Sequence, residues 1–348
     1  MLNRPSVHTG GLFCVLLSAE TNMKAAQITA YGGPEVIEIV DLPIPSPGEG
    51  EVLVRAAAIG VGKPDYLLRS GIYRWKPPLP TILGNEMSGH IEAVGPGVSG
   101  FKEGQPVLVF GTGGGRYAEY NAVSTSLVTP LPDSVDLDDA VSIPNYVIAW
   151  ALLFEAARGV NPKTAYANGA AGGMGTAIID LCKSQGIDII AGASSDEKCA
   201  FVSGFGATHT INYSRDNVAE KALELTGGRG VDLAFDQLIG PRFTDSLDML
   251  APLGMIVSYN ALAGLPEDEL FAAMRARAGK SLAVRCFSWH AFDGNPEKGQ
   301  QIIDAVVEQF AAGTFSPPIY ERMPLSEARR AHEMLDAREI RGKLVLKP

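Results

Sequence analysis

The chain of 348 residues is poor in cysteine, in positive charge and in long apolar runs. Its four cysteines form no CxxC pair, so neither a disulfide framework nor a structural zinc lobe is predicted, and a reducing cytoplasm is the expected location. Acidic residues outnumber basic ones by 39 to 29, which argues against nucleic acid as a partner. No apolar run is long enough to span a membrane. These absences favour a soluble protein.

The first 22 residues also lack a clear export signal. Their apolar patch, residues 12–17, is too short for the hydrophobic region of a secretory signal followed by a small-residue cleavage site. We expect residues 1–22 to be a disordered leader or the result of an over-long start, with a transit peptide as the remaining alternative. Met23 then begins a predicted strand over residues 24–30.

Glycine and proline are abundant, at 39 and 23 residues, beside a hydrophobic content of 46%. This composition is typical of an α/β protein with many short turns, and the length allows two domains with separate cores. Short strands and proline-containing turns predict a mainly β domain before residue 145, to which the last strand returns. We predict a discontinuous catalytic domain, residues 23–145 and 286–348, around a cofactor domain at 146–285. The active site would lie in the cleft between them.

The most informative stretch is residues 164–175, Thr-Ala-Tyr-Ala-Asn-Gly-Ala-Ala-Gly-Gly-Met-Gly. It is predicted to be a buried strand that runs into a glycine turn and opens a helix, a geometry that binds a pyrophosphate. Gly172 lacks a Cβ, which lets the backbone approach an anion, and Gly175 lets the helix pack closely on its strand. Ala170 stands where a strict GxGxxG has its first glycine, so the pattern alone is weak.

The elements that follow strengthen this interpretation, because apolar strands alternate with amphipathic helices as βαβ units require. Five further strands are predicted at 187–191, 208–211, 231–235, 255–259 and 282–287. Helices are predicted to begin near Thr176, Asp196, Val218 and Phe243. The sequence therefore predicts a doubly wound parallel Rossmann sheet with a ligand crevice at the carboxyl ends of its strands.

The end of the second strand favours NADPH over NADH. NAD-dependent Rossmann proteins usually place an acidic residue about 20 residues after the turn, where it holds the ribose 2′-hydroxyl. Here the strand ends in Ser194 and Ser195 with Lys198 close behind, and hydroxyl and ammonium groups accept a 2′-phosphate. The alternative is that both serines cap the next helix, and Asp196 would weaken the case if its carboxylate turned inward.

Further stretches occur in a fixed order along residues 23–348. They are Tyr-Gly-Gly-Pro-Glu-Val at 31–36, Asp65 with Arg-Ser-Gly-Ile-Tyr at 69–73, Gly-Asn-Glu-Met-Ser-Gly at 84–89, the turn 170–175, the pair 206–208 and 211–213, and 230–232 before Asp236. In this combination the chain resembles the zinc-independent quinone oxidoreductases of the medium-chain dehydrogenase/reductase superfamily. The resemblance implies a GroES-like catalytic domain beside the Rossmann domain, bound NADPH, a small-molecule substrate and a homodimer formed through the cofactor domains.

The resemblance also assigns contacts to the cofactor. The turn 171–174 would contact the pyrophosphate, and Lys198 and Tyr213 would flank the adenosine 2′-phosphate. For Tyr213 an ordinary half-buried aromatic at a strand end is an equal alternative. The implied cofactor residues are Ala171, Gly172, Gly173, Met174, Gly175, Ser194, Lys198, Tyr213, Tyr259 and Asn260.

The ligands that a zinc alcohol dehydrogenase needs are missing. Gly62 stands at the place of the cysteine, and Asn85 at that of the histidine in a Gly-His-Glu motif. Without the thiolate and the imidazole, a three-ligand catalytic zinc site cannot form there. His90, the nearest histidine, lies on a predicted strand as a core or edge residue. No metal is expected.

Hydride transfer without a metal requires a substrate that accepts hydride readily, such as a quinone or an activated enone. The oxyanion or enolate that forms needs a donor nearby. Tyr73 is the predicted donor because it matches a family position in the cleft; the alternative is that it packs beneath the proline-rich turn 76–80. Asp65 is the second candidate catalytic residue, although it is expected to orient the neighbouring backbone rather than to shuttle protons.

Several residues depart from the family pattern, mainly around the substrate. Gly62 replaces an asparagine and is followed by Lys63, Ile148 replaces a threonine near the nicotinamide, and Asn260 replaces a glycine. Lys63, Trp150 and Asn260 are therefore the places where substrate determinants are expected.

The leading hypothesis is an NADPH-dependent reductase of quinones or α,β-unsaturated carbonyl compounds. One alternative is an enoyl-thioester reductase, for which Arg69, Arg74 and Lys76 would supply a basic rim. The other is a non-catalytic NADPH-binding protein, since a fold does not fix a function.

Overall fold

The structure, a computed structural model, describes residues 21–73, 76–111 and 113–348. The predicted leader lies outside the described residues up to position 20. The N-terminal portion is mainly β, as expected. Its strands are β1 Asn22–Ile28, β2 Ile37–Pro43, β3 Glu51–Val61, β4 Thr81–Ile82, β5 Glu86–Val94, β6 Pro106–Phe110, β7 Tyr120–Ser124 and β8 Val128–Pro130. Two short helices accompany them, α1 Lys63–Arg69 and α2 Leu137–Ala140.

The long strand β3 organises this portion. Val52, Val54 and Ile59 are fully buried in the core of the domain, and the pairing of β3 with β5 shifts register between Ala56 and Ala58. β3 pairs antiparallel with β5, and β5 with β6, so that Glu86 lies opposite Phe110. The end of β3, the start of β5 and the end of β6 therefore share one edge of the sheet.

The central portion is the predicted doubly wound sheet, whose six strands are parallel in the order β11-β10-β9-β12-β13-β14. This is the Rossmann order, in which the ligand crevice lies beside the first strand. The strands are β9 Thr164–Ala167, β10 Asp188–Ala193, β11 His209–Asn212, β12 Val231–Asp236, β13 Leu250–Ser258 and β14 Ala283–Cys286. The helices are α3 Ile143–Trp150, α4 Gly173–Ser184, α5 Asp196–Phe205, α6 Val218–Leu225 and α7 Leu270–Ala276.

One helix differs from the expectation, and another has an irregular end. The helix predicted near Phe243 is a 3-10 segment, Phe243–Met249, and α3 continues as the π-helical segment Ala151–Ala156. No helix within the described residues is long and apolar enough to cross a membrane.

The C-terminal portion contains α8 Pro296–Ala311, β15 Ile319–Pro324, α9 Ala328–Asp336 and β16 Lys343–Lys347. β16 pairs antiparallel with β3, so the last strand returns to the first domain as predicted. Ile302, Val306 and Phe310 of α8 are buried in the same cluster as the parallel sheet. The boundaries at 145 and 286 stay a prediction, and this packing favours a return after α8.

Candidate cofactor and active site

The glycine turn joins β9 to α4. Gly169 has a φ of +60°, so the left-handed residue of the turn lies one position before Ala170. A Cβ on Gly175 would lie 2.3 Å from the Ala170 Cα, which confirms the close packing of the helix on the strand. A Cβ on Gly172 would meet nothing nearer than the Gly169 carbonyl oxygen, at 3.9 Å. The fold therefore requires Gly175, whereas Gly172 leaves room for a ligand.

The start of α4 is the second feature suited to an anion. Its N-cap, Gly172, has no side chain to bond the first N–H groups of the helix. Those groups and the helix dipole attract negative charge. Gly173 packs against Asn145 of α3, whose Nδ2 lies 2.3 Å from the position of an added Cβ. Ala171, Gly172, Gly173 and Met174 are thus together at the carboxyl edge of the sheet.

The catalytic sheet meets this turn directly. The Gly342 N–H donates to the Ala171 carbonyl at 2.8 Å, and Gly342 forms an isolated parallel bridge with Gly172. Two residues later Leu344 pairs with Val61 at the end of β3. The glycine turn and the residues after β3 therefore border the same cleft.

The third feature lies at the end of β10. Lys198 Nζ donates to the Arg338 carbonyl at 2.6 Å and lies 3.4 Å from Ser194 Oγ. Burial raises the pKa of Tyr213, while its hydrogen bond with Ser194 and the charge of Arg338 act in the opposite direction. Ser195 Oγ accepts the Lys198 N–H and caps α5. The capping alternative therefore holds for Ser195, and Ser194, Lys198 and Tyr213 form one polar cluster.

The Asp196 carboxylate, which could have opposed a 2′-phosphate, is held by other groups. It accepts from Asn212 Nδ2 at 2.9 Å and from Arg215 Nη1 at 2.8 Å. Arg338 and Arg341 instead add positive charge beside Lys198, whose pKa is lowered by burial and by these two arginines. No local sequence pattern predicts that these arginines lie beside Lys198, because they come from the segment after α9.

Tyr259 and Asn260 follow β13. The Tyr259 N–H donates to the Asp236 carbonyl at 3.0 Å, and the tyrosine hydroxyl is buried with no hydrogen-bond partner among the described residues. Burial and the nearby Asp236 raise its pKa. Asn260 is exposed, and its Oδ1 accepts from the Ala261 N–H at 3.0 Å. A cofactor contact of Tyr259 or Asn260 stays a prediction.

Asp65 is 1% exposed and lies at the start of α1. Its carboxylate accepts the Gly62 N–H at 2.8 Å, the Asn85 Nδ2 at 2.8 Å and the Tyr117 hydroxyl at 3.3 Å. Burial and the charge of Glu86 raise its pKa to about 7. These contacts orient the backbone of the loop before α1, and a direct catalytic role for Asp65 stays a prediction.

The network continues from Asp65 to α9. Tyr117 lies 3.2 Å from His332, which lies 3.3 Å from Arg69, and Arg69 makes a bidentate pair with Asp336. Arg69 is therefore buried and belongs to no basic rim. Lys76 donates to the Gly71 carbonyl at 2.9 Å. Arg74 lies outside the described residues.

Tyr73, the predicted proton donor, is half-buried and packs against the core of the catalytic domain. Its N–H donates to the Leu67 carbonyl at 3.0 Å. Burial and the charge of Asp65 raise its pKa, which keeps the hydroxyl protonated. The contacts accommodate both the packing alternative and the catalytic one, so the catalytic role stays a prediction.

Of the three predicted substrate determinants, Asn260 follows β13, and Lys63 and Trp150 lie in two other places. Lys63 Nζ lies 3.5 Å from the centre of the Tyr66 ring, in a cleft of about 370 Å³ that Arg338 also lines. Trp150 packs on Phe154 with ring centres 4.6 Å apart. His90 lies on β5, as predicted. In the described part of the chain, no group of three or more His, Cys, Asp or Glu side chains could hold a metal ion.

Comparisons with known proteins agree with this architecture. Residues 48–133 match the family described as alcohol dehydrogenase GroES-like domain, and residues 205–346 match zinc-binding dehydrogenase. The chain is 36% identical to a quinone oxidoreductase of Pseudomonas aeruginosa, over 93% of this chain and 99% of that protein. It belongs to the quinone oxidoreductase family. The resemblance inferred from the sequence motifs is confirmed.

Two other members of this group are informative. A 2-haloacrylate reductase of Burkholderia is 31% identical over 93% of this chain and 98% of that protein. The crystal structure of Escherichia coli quinone oxidoreductase complexed with NADPH is 27% identical, with a TM-score of 0.85 over 93% of this chain and 100% of that chain. The Rossmann and GroES-like architecture predicted from the sequence is thereby confirmed.

Proposed function

We propose that this protein is an NADPH-dependent oxidoreductase that transfers hydride to a quinone or to an activated α,β-unsaturated carbonyl compound, without zinc. The observation that carries the proposal is the pairing of an open glycine turn at Gly172 with a cationic corner at Lys198 and Arg338. The names of the relatives, quinone oxidoreductase and 2-haloacrylate reductase, support the two substrate classes.

The residues of the cleft fit NADPH. The turn 171–174 and the start of α4 would hold the pyrophosphate, and Ser194, Lys198 and Tyr213 would hold the 2′-phosphate. Tyr259, whose buried hydroxyl has no partner among the described residues, would donate to a polar group of the cofactor. When bound, NADPH supplies hydride from C4 of its nicotinamide.

The remaining chemistry belongs to the catalytic domain. Tyr73 would donate a proton to the oxyanion or enolate, which its raised pKa permits at neutral pH. Asp65 would act as a positioning residue, since it fixes the Gly62 loop. Asn85, at the place of a zinc-ligating histidine, is engaged with Asp65 through its Nδ2, which supports hydride transfer without a metal.

We also propose a homodimer that acts in the cytoplasm. Leu253, Leu265 and Phe271 are large exposed hydrophobic side chains on the cofactor domain, where an interface would cover them. Cys182, Cys199 and Cys286 are free thiols, which suits a reducing compartment. Sedimentation equilibrium would measure the mass in solution, and a monomer at micromolar concentration would contradict the dimer.

The function is tested by following the loss of NADPH absorbance with a quinone, a short enone and an enoyl thioester. We expect turnover with the quinone or the enone. Turnover with the thioester alone would favour an enoyl-thioester reductase, although the buried Arg69 removes one residue of its expected basic rim. Binding of NADPH without turnover of any of the three would favour a non-catalytic protein.

A further inference from the structure

Arg116 is a buried cation for which the described residues supply no counter-ion. The residue is 7% exposed, its Nε is buried without a hydrogen-bond partner, and its guanidinium makes no ion pair with residues 21–73, 76–111 or 113–348. Burial lowers its pKa to about 10, with no contribution from a neighbouring charge. Because buried charges in proteins are normally paired, a partner for this guanidinium is missing.

The other buried cations show what such a partner looks like. Among the described residues, Arg69 and Lys343 are the other two buried Lys or Arg side chains. Arg69 is paired with Asp336, and Lys343 with Glu86. Arg116 alone of the three lacks a carboxylate partner among the described residues, so these residues leave it free to bind an anion from a ligand.

The position of Arg116 connects it with the cleft. Its N–H donates to the Gly84 carbonyl at 3.2 Å, directly before Asn85. At the other end of the same loop, the Gly111 N–H donates to the Asn85 carbonyl at 3.1 Å. The loop that carries Arg116 therefore leaves and rejoins the sheet at Asn85, on the edge that also bears Gly62.

The loop itself is open to a ligand. Gly113, Gly114 and Gly115 have φ values of +108°, +80° and +99°, a conformation that presents the bare backbone. An added Cβ on Gly113 or Gly115 would meet no atom within 4 Å. Solvent thus borders the backbone at Gly113 and Gly115, close in the chain to the Arg116 guanidinium.

We propose that Arg116 is a specificity-determining residue that binds a carboxylate on the substrate. The substrate class is then an α,β-unsaturated carbonyl compound that carries a carboxylate, an inference that rests on the proposed reductase function. A guanidinium binds a carboxylate through two parallel N–H···O bonds, which fixes orientation as well as charge. In the reaction, hydride from NADPH and a proton add across the carbon–carbon double bond, NADP⁺ is formed, and Arg116 exchanges no proton.

The test compares a charged substrate with its neutral counterpart. For the wild type we expect kcat/KM for trans-4-oxo-2-pentenoate to exceed that for its methyl ester by about 10-fold or more. Arg116→Met should lower the value for the acid by about 30-fold and leave that for the ester within about 3-fold. For Arg116→Lys, kcat/KM for the acid should lie between the values of the wild type and of Arg116→Met. Arg242→Met, at a side chain that is 88% exposed, is the matched control.

If Arg116→Met lowered kcat/KM equally for the acid and the ester, the proposal would be overturned. A wild type with the same kcat/KM for both compounds would also overturn it. If the wild type turned over no quinone and no enone, the reductase function would fail, and the subsite would be decided by binding alone. The probe is then 4-oxopentanoate, the saturated acid, which should raise the Tm of the wild type and of Arg116→Lys but not of Arg116→Met. No rise in the wild type would exclude the subsite.

Discussion

The glycine turn at 169–175 and the catalytic edge that faces it use different means to form a ligand site. On the cofactor side the site is formed mainly by the backbone. Gly169 turns the chain, Gly175 lets the helix approach the strand, and the start of α4 offers N–H groups. On the substrate side the loop is held by side chains, chiefly Asp65 and Asn85. The first site is encoded in a few consecutive residues, and the second is assembled from distant ones.

This difference has a functional consequence. A pyrophosphate site made of backbone tolerates changes in the side chains around it, so the cofactor side can stay constant within a family. A site made of side chains changes its ligand with one substitution. Under the proposals above, Arg116 is the position where this chain would acquire a substrate preference of its own.

The largest expected effect concerns the side-chain network. The pKa of Asp65 is raised to about 7 in the folded protein, so folding favours the protonated carboxyl. Its stabilising contribution is full below pH ~4 and is lost as the pH rises through ~7, a span of three units that corresponds to about 4 kcal/mol. Asp65→Asn should remove this pH dependence from the free energy of unfolding, measured in urea between pH 4 and 8.

Asp188→Asn, at an exposed carboxylate at the start of β10, is the control and should leave the pH dependence unchanged. If the free energy of unfolding changed with pH in the same way for the wild type and for Asp65→Asn, the raised pKa of Asp65 would be contradicted.

The second prediction separates two glycines of the backbone site. Gly175→Ala places a Cβ against the Ala170 backbone and should destabilise the fold by about 3 kcal/mol. Gly172→Ala meets only the Gly169 carbonyl oxygen at 3.9 Å, so it should keep its Tm and bind NADPH more weakly. Thermal unfolding and NADPH titration of both variants provide the check. A Gly172→Ala variant with unchanged NADPH affinity would remove the argument for a ligand at that position.

The third prediction concerns Tyr73. Tyr73→Phe should lower kcat by about 100-fold with a quinone or enone, because a positioned general acid contributes at least that much. The KM for NADPH should not change. Tyr31→Phe removes a hydroxyl that bonds the Pro77 carbonyl at 3.3 Å and serves as the control. An unaltered kcat for Tyr73→Phe would support the packing alternative.

The smallest effect is expected at the cationic corner. Lys198→Ala should weaken NADPH binding by about 1 to 3 kcal/mol, the contribution of a charge-assisted hydrogen bond, while NADH binding hardly changes. The effect should be limited because the charge of Arg338 remains beside this corner in the variant. Lys221→Ala, at an exposed lysine paired with Glu224, is the control. Equal losses for both dinucleotides in a fluorescence titration would contradict the assignment.

The sequence predicted the cofactor side of the molecule better than the substrate side. The Rossmann sheet and the turn near Gly172 were accessible because their signals are local and periodic. The pattern did not reveal that Gly169 is the left-handed residue of the turn, since Ala170 occupies the place of the first glycine in GxGxxG. Arg338 could not be predicted beside Lys198, since 140 residues separate them.

The substrate side was less accessible for a physical reason. Asp65, Tyr117 and His332 meet in one buried network, although Tyr117 and His332 are 215 positions apart. Arg69 looked like part of a basic rim because its burial with Asp336 leaves no local pattern. Arg116 follows three glycines and reads as an ordinary loop residue until the absence of a described partner is seen.

The central claim is that the cleft is preformed for a phosphorylated nicotinamide nucleotide. Titration of the purified protein with NADPH and with NADH, followed by nicotinamide fluorescence, tests it most directly. The account predicts that NADPH binds more tightly by about 30-fold, the equivalent of about 2 kcal/mol. Equal affinity for the two nucleotides, or no binding of NADPH at millimolar concentration, would contradict it.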